Sequence, residues 1–447
     1  MKKQELSMLS LFLMGGALFA MHFGASSMIW PMTWGKESGN AVFFAYIGVF
    51  MTALLLPLLA YVALSRGKGT FLSVTTRALP RFGQFFCGAT IMILGPLYVI
   101  PRMSAASWDA IMQITGIQVD SMLPIILFSC CYYLLTYWFV SSRSKMVDKI
   151  SNILFPVLVL IVIGVIVKGL ATPISVWTEP SYEKPPIVYG FTEGYATGDL
   201  LCGLVFGIII LNSLKEKGVA ENRLNAMIIK VGVIGIGMLC LTHLGHMLVG
   251  ALVGNTLDLT YASLYTQVVL ELWGRLGGIF FSIALVFASL TTAIGLTAAT
   301  AEYFEEATHG KLSYRKGTVW VLIGSTIIGS IGLDTIVAFF APLLDAFYPG
   351  AIVITLYYSF MPNCLEERKL RAMGFGVVVS FFMGMLDVLN TYNSLFGLQI
   401  QSYTDFYNKI PLTGYKLSWV PAAILFMVIG YFSYQKKMKK ELKPIKE

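Results

Sequence analysis

The sequence predicts an all-α polytopic membrane protein of about twelve transmembrane helices, and three observations predict it. Of 447 residues, 56% are hydrophobic and 13% charged, too little charge to coat a soluble particle of this length; the mean hydropathy is +0.73. Apolar runs of about 20 residues, enough for a helix to cross a bilayer, recur from near the first residue to near the last. Basic residues, finally, concentrate in alternate loops, the bias that marks the cytoplasmic side of a membrane.

Taken in order, the first span covers residues 7–34. Lys2 and Lys3, an apolar stretch and small residues near Ala20 and Ala25 imitate a cleavable signal peptide, but apolar character resumes through Met28, Ile29, Trp30 and Pro31. The segment is therefore read as a retained, interrupted span. Further spans are expected at 40–65, 82–111, 121–140, 150–170, 191–214, 225–254, 266–304, 317–333, 335–360, 372–389 and 417–434. An even number puts both termini on one side. The alternate loops and the two ends hold 25 of the 32 Lys and Arg, from Lys2 through Arg143, Lys145 and Lys149 to the six lysines after Tyr434, so that side is cytoplasmic. The Pro-containing stretch 171–186 faces outward.

The net charge of +8 is thus a topology signal and points to no nucleic acid; the bilayer is the expected partner. The six cysteines lie in or beside apolar runs without metal or disulfide spacing. No P-loop, zinc spacing or nucleophile elbow is present, so an enzyme is not expected. A passive channel is the remaining class, and it predicts flux without ion coupling.

Two spans are interrupted in a matching way, the first at Phe23-Gly24-Ala25-Ser26-Ser27 and the sixth at Gly203-Leu204-Val205-Phe206-Gly207. They stand five spans apart, and an odd offset reverses direction through the membrane, as in inverted-repeat transporters. One membrane domain is expected, with repeats at 7–170 and 191–360, two additional helices at 372–434 and a basic cytoplasmic tail at 435–447. No internal sequence repeat accompanies the pattern.

A helix opened inside a bilayer leaves N–H and C=O groups without partners, so a break persists where something polar occupies it. A zwitterion fits: one half-helix offers N–H groups to a carboxylate, the other carbonyls to an ammonium or a cation. Small residues such as Gly24, Ala25, Ser26 and Ser27 permit close approach. In the eighth span, Thr291 and Thr292 interrupt an apolar helix. Either they bond back to carbonyls one turn earlier, or their neutral oxygens join first-span carbonyls around a monovalent cation.

The chain resembles the branched-chain amino acid:cation symporters of bacteria, the LIVCS or BrnQ type. The resemblance is carried by Phe23 through Pro31, by Gly95-Pro96-Leu97-Tyr98-Val99-Ile100-Pro101-Arg102, by Glu193 through Thr197 and on to Phe206-Gly207, and by Leu290 through Leu296 and on to Phe304. It covers nearly the whole chain. It implies a LeuT-like five-plus-five inverted repeat with broken helices 1 and 6 plus two extra helices, in the bacterial cytoplasmic (inner) membrane. It further implies a sodium site of the Ala20, Phe23 and Ala288 carbonyls with the Thr291 and Thr292 hydroxyls. The substrate carboxylate is then expected at the N–H groups of Ala25, Ser26 and Ser27 beside Gly24, and the ammonium at carbonyls near His22, Gly203, Leu204 and Val205. Tyr98, Phe206 and Leu296 are the candidate side-chain pocket. The family tends to carry Gly-Asn where this chain has Ser26-Ser27.

The expected function is cation-coupled symport of leucine, isoleucine, valine or another medium apolar L-amino acid, with no cofactor. Sodium is the expected coupling ion, because the proposed cation pocket has no titratable group and the middle of the fifth span, 154–167, holds no Lys, Asp or Glu. The alternative is a proton-coupled neutral amino acid permease, such as one for methionine, using His22.

Other polar residues have structural readings. Asp345, midway along the tenth span between Pro342 and Pro349, is a gate or network candidate or a hydrogen-bonded aspartate. Arg102 and Asp109 form a polar stripe, a structural pair or a snorkelling anchor. His243 and His246 suit interhelical hydrogen bonds. Glu193 and Asp199 suit capping of the sixth span, and Lys436 through Lys446 suit anionic lipid.

Overall fold

The computed structural model describes residues 6–115, 121–254, 256–398 and 400–441. Lys2, Lys3 and the tail beyond residue 441 lie outside the described residues. Among the described residues the chain is helical, with no strand.

Helices α1 (Met8–His22) and α2 (Ala25–Ser38) form the broken first span. The second span is α3 (Val42–Val49) and α4 (Leu55–Gly67), joined by a widened π-turn at Phe50–Leu54. A short α5 (Phe71–Ala78) precedes the third span, α6 (Pro80–Met92) and α7 (Val99–Thr115), joined by a second π-turn at Ile93–Leu97. The fourth is α8 (Met122–Val140). The fifth is α9 (Met146–Lys149) and α10 (Phe155–Ala171), joined by a third π-turn at Ile150–Leu154. Proline explains all three wide turns. Pro57, Pro96 and Pro156 each lack an N–H, and their rings collide with the carbonyl four residues earlier, so the turn beside each opens.

The sixth span comprises α11 (Pro186–Ala196) and α12 (Asp199–Glu216), bent by 47°. The seventh is α13 (Glu221–Ala251), and the eighth is α14 (Tyr261–Ala307), kinked at Gly274 with φ +62°. Next, α15 (Tyr314–Gly329) turns through 109° into the short α16 (Leu333–Phe340). After it come α17 (Leu343–Phe360), α18 (Glu367–Leu395), the short α19 (Gln401–Lys409) and α20 (Trp419–Glu441). Among the described residues, counting the broken pairs and the shorter apolar helices as crossings gives the expected twelve.

The expected tenth span at 335–360 is therefore two helices. Asp345 sits in the first turn of α17, not midway along a span, and pairs with Lys416 at 3.2 Å. Proline at 342 opens α17 and divides the segment, which hydropathy alone reads as continuous.

The centre of the bundle is α1, packed against α13, α14, α12 and α10. Ala17 through Met21 are wholly buried, as is nearly all of α14 from Ala288 to Ala301. Outward-facing apolar side chains such as Leu134, Leu160, Leu241, Trp320 and Ile327 are exposed, as a lipid-facing belt requires. His246 joins α13 to α14 through the Tyr265 hydroxyl at 2.9 Å, the interhelical bond expected of it, whereas His243 bonds within α13, to the Leu239 carbonyl at 3.0 Å, and its Nε2 has no hydrogen-bond partner.

Candidate functional site

The break between α1 and α2 consists of Phe23 and Gly24, both outside helical geometry. A helix end leaves its last four carbonyls without partners, and here each has one. Phe19 O accepts from the Phe23 N–H, and His22 O from the Gly24 N–H and the Ser27 hydroxyl. Between them, Ala20 O accepts from Thr291 Oγ1 at 2.6 Å and Met21 O from Thr292 Oγ1 at 2.8 Å. Thr291 Oγ1 also lies 2.9 Å from Ala288 O. The Ala20 and Ala288 carbonyls thus meet about the Thr291 hydroxyl, with the Thr292 hydroxyl on the neighbouring Met21 carbonyl. The back-bonding and first-span readings of Thr291 coexist, whereas Thr292 reaches only across to α1.

Gly24 allows this approach. A Cβ there lies 2.8 Å from Thr292 Oγ1, closer than real side-chain carbons come. Gly24→Ala is expected to push the Thr292 hydroxyl away and to lower transport about tenfold in a protein that still inserts. Normal transport by that variant, measured at equal abundance, contradicts the tight approach.

The sixth span breaks elsewhere than expected. Thr197 and Gly198 separate its halves, with Gly198 in the left-handed region at φ +70°. Gly203, Leu204, Val205, Phe206 and Gly207 lie inside the unbroken α12. Their glycines serve packing: a Cβ on Gly203 comes 3.1 Å from the Ala60 side chain, and one on Gly207 collides with Leu64, both on α4. The carbonyls freed at this break belong to the end of α11.

Between the two breaks lies a cavity of about 480 Å³, within the range of small-ligand sites. His22, Gly24, Ala25, Ser26, Ser27, Tyr98 and Thr292 line it. The first turn of α2 has no side-chain cap, so its N–H groups and dipole face a potential anion. Gly203, Leu204, Val205, Phe206 and Leu296 do not line the cavity. Phe206 stands behind it, edge-on to His22 with ring centroids 5.1 Å apart, and Leu296 is fully buried. His22 Nε2 bonds to the Tyr61 hydroxyl at 2.8 Å.

Three charged side chains also line the cavity, Arg102, Asp199 and Asp345. Arg102 does not pair with Asp109; its Nη1 donates to the Tyr98 hydroxyl at 2.7 Å and its Nη2 to Ser26 Oγ at 2.9 Å. The signal was present, because Tyr98 and Arg102 stand one helical turn apart. Asp199 also lines the cavity and is 7% exposed. Glu193 is not a cap: it lies late in α11 and accepts from Trp34 Nε1 at 3.2 Å, tying α11 to α2.

The opposite end of the bundle is closed by ions. Glu302, 4% exposed on α14, accepts from Arg143 and, at 3.0 Å, from Asn212 on α12. Arg143 also holds Glu305 at 2.7 Å and lies 5.2 Å over the Tyr314 ring. The space left among these residues is about 10 Å³, enough for a single water.

Comparison with known proteins extends this geometry. Residues 7–437 match the sequence model of a family described as branched-chain amino acid transport protein. The branched-chain amino acid permease BraB of Bacillus subtilis is 33% identical over 443 residues, which cover 96% of each chain. Among solved structures, Mhp1, a nucleobase-cation-symport-1 family transporter in a closed conformation with bromovinylhydantoin bound, superposes with a TM-score of 0.58 at 12% identity. That likeness covers 92% of this chain and 95% of Mhp1, and it shows a shared fold.

Proposed function

The chain belongs to the branched-chain amino acid transport protein family, and on that premise we propose that it carries leucine, isoleucine or valine into the cell by sodium-coupled symport. It is a multi-pass membrane transporter and not an enzyme. The observation that carries the proposal is the cavity bounded by the ends of two broken helices, with α1 carbonyls and α14 hydroxyls converging beside it. In this reading sodium takes the oxygens of Ala20, Phe23, Ala288, Thr291 and Thr292. The substrate carboxylate meets the first turn of α2, and its side chain lies among Tyr98, Val99 and Met103. Helices from 7–170 and 191–360 form the two inverted repeats, with both termini in the cytoplasm of a bacterial cell and the protein in its inner membrane.

A second reading, proton coupling, draws on His22, which lines the cavity and whose buried Nδ1 has no hydrogen-bond partner. Uptake of labelled leucine into proteoliposomes separates the two. Accumulation above the outside concentration is expected with an inward sodium gradient and not with a proton gradient or none. Proton-driven accumulation without sodium replaces the first reading by the second.

A further inference from the structure

The polar margin of the cavity carries the Arg102 cation and two carboxylates, Asp345, which is paired with Lys416, and Asp199; the family assignment leaves the roles of Arg102 and Asp199 open. Arg102 is held by Tyr98 and Ser26, with its guanidinium 4.9 Å over the Tyr98 ring, and so places a fixed positive charge beside the first turn of α2. Asp199 opens α12 at the other break. It is 7% exposed, it lines the same cavity, and its Oδ2 has no hydrogen-bond partner. Its side chain meets Thr197, and Arg102 lies within electrostatic reach.

An ionised side chain inside a membrane protein is costly and marks a functional site, and a buried carboxylate oxygen without a donor adds to that cost. Asp199 stands in the first turn of α12, where the helix dipole favours a carboxylate, but this leaves its Oδ2 without a donor. The cap position is Gly198, and at this break it is the Asp199 N–H that reaches Thr197 Oγ1, at 3.4 Å. Neither Thr197 nor Arg102 gives Oδ2 a hydrogen bond, and the α-ammonium of a free amino acid brings both the donors and the charge to meet it.

We propose that Asp199 receives the α-ammonium of the substrate while Arg102, with Ser26 and the α2 amides, receives its α-carboxylate. The two side chains then read the zwitterion, and the apolar walls read the side chain. The inference rests on the amino acid transport reading above. An amine without a carboxylate leaves Arg102 uncompensated, and an acid without an ammonium leaves Asp199 so; both are excluded by the charge they fail to bring.

The test is competition against labelled leucine in proteoliposomes, using 3-methylbutylamine, which lacks the carboxylate, and 4-methylpentanoate, which lacks the ammonium. In the wild type neither analogue is expected to compete. Asp199→Asn is expected to raise the half-saturating leucine concentration at least tenfold and to narrow the preference for leucine over 4-methylpentanoate by a similar factor, leaving the amine excluded. Arg102→Gln is expected to do the reverse, relaxing exclusion of the amine only. An Asp199 that serves only the helix dipole predicts that Asp199→Asn costs stability at the first turn and leaves the preference among leucine and its analogues unchanged. Leucine half-saturation within twofold of wild type in that variant, or a loss without any change in analogue preference, overturns the proposal. Should Asp199→Asn not fold, Arg102→Gln and Arg102→Lys decide by the same competition. The wild-type arm separates the two levels. Failure to carry leucine, isoleucine or valine removes the branched-chain reading, and the comparison is then made with the α-amino acid that is carried; a protein that carries none overturns both.

Discussion

Thr291→Ala is expected to abolish sodium stimulation of leucine uptake, and Thr292→Ala to raise the sodium concentration for half-activation at least tenfold. The two differ because their hydroxyls sit differently. Thr291 Oγ1 stands between two carbonyls, Ala20 O at 2.6 Å and Ala288 O at 2.9 Å, whereas Thr292 Oγ1 meets Met21 O alone at 2.8 Å. A hard monovalent cation binds well where several neutral oxygens already converge, so removing the central hydroxyl does more. These hydroxyls also cap the carbonyl end of α1, and losing either costs about 1–3 kcal/mol if the freed carbonyl finds no other donor. Stability and coupling are therefore measured together. Thr291→Ser keeps the oxygen and is expected to keep most sodium activation, while Thr291→Val keeps the shape and loses it. Melting in detergent that falls equally for Ala and Val, with sodium activation intact in both, reduces Thr291 to a cap and removes it from the ion site.

How much of this was legible in the sequence follows from what glycine means in different places. Phe23-Gly24 was readable as a break because small and polar residues there interrupt a run that continues on both sides. Gly203 and Gly207 carry the same letters for another reason, close packing on α4, and small residues at helix interfaces are ordinary in membranes. The true break at Thr197-Gly198 needs a left-handed glycine, a property of backbone angles that composition does not report. Spans were legible because hydropathy is a sum over many residues. Arg102 was legible only as the partner of Tyr98 one turn away, and Asp199 not at all, because the rest depends on which helix faces them: Arg102 also reaches across to Ser26, 76 residues away in the chain. The same holds for Asp345, whose partner Lys416 comes from the segment before α20.

Arg143→Ala is expected to open the closed end of the bundle and to lower sodium-driven uptake at least tenfold. Arg143 holds Glu302 on α14 and Glu305 one turn on, while Asn212 on α12 shares Glu302, so one side chain joins the loop after α8 to two helices that bound the cavity. Without it, Glu302, 4% exposed, keeps a single neutral donor in a space of about 10 Å³. A buried charge left in that state is costly, although Arg143 itself is 40% exposed and solvent takes up part of the loss. Hydrating Glu302 requires that end to open, so the substitution favours the opened state. A tilt of about 1.4 kcal/mol already changes its population tenfold. Ser213 lines the closed space and serves as reporter. In a cysteine-free background, Ser213→Cys is expected to react about tenfold faster with a membrane-impermeant maleimide applied to the basic face once Arg143→Ala is added. Glu302→Gln removes the charge that needs hydration, retains an oxygen for Asn212, and is expected to give a smaller increase than Arg143→Ala. Labelling that does not change with Arg143→Ala means that packing of α12 on α14, and not the ion cluster, keeps this end shut.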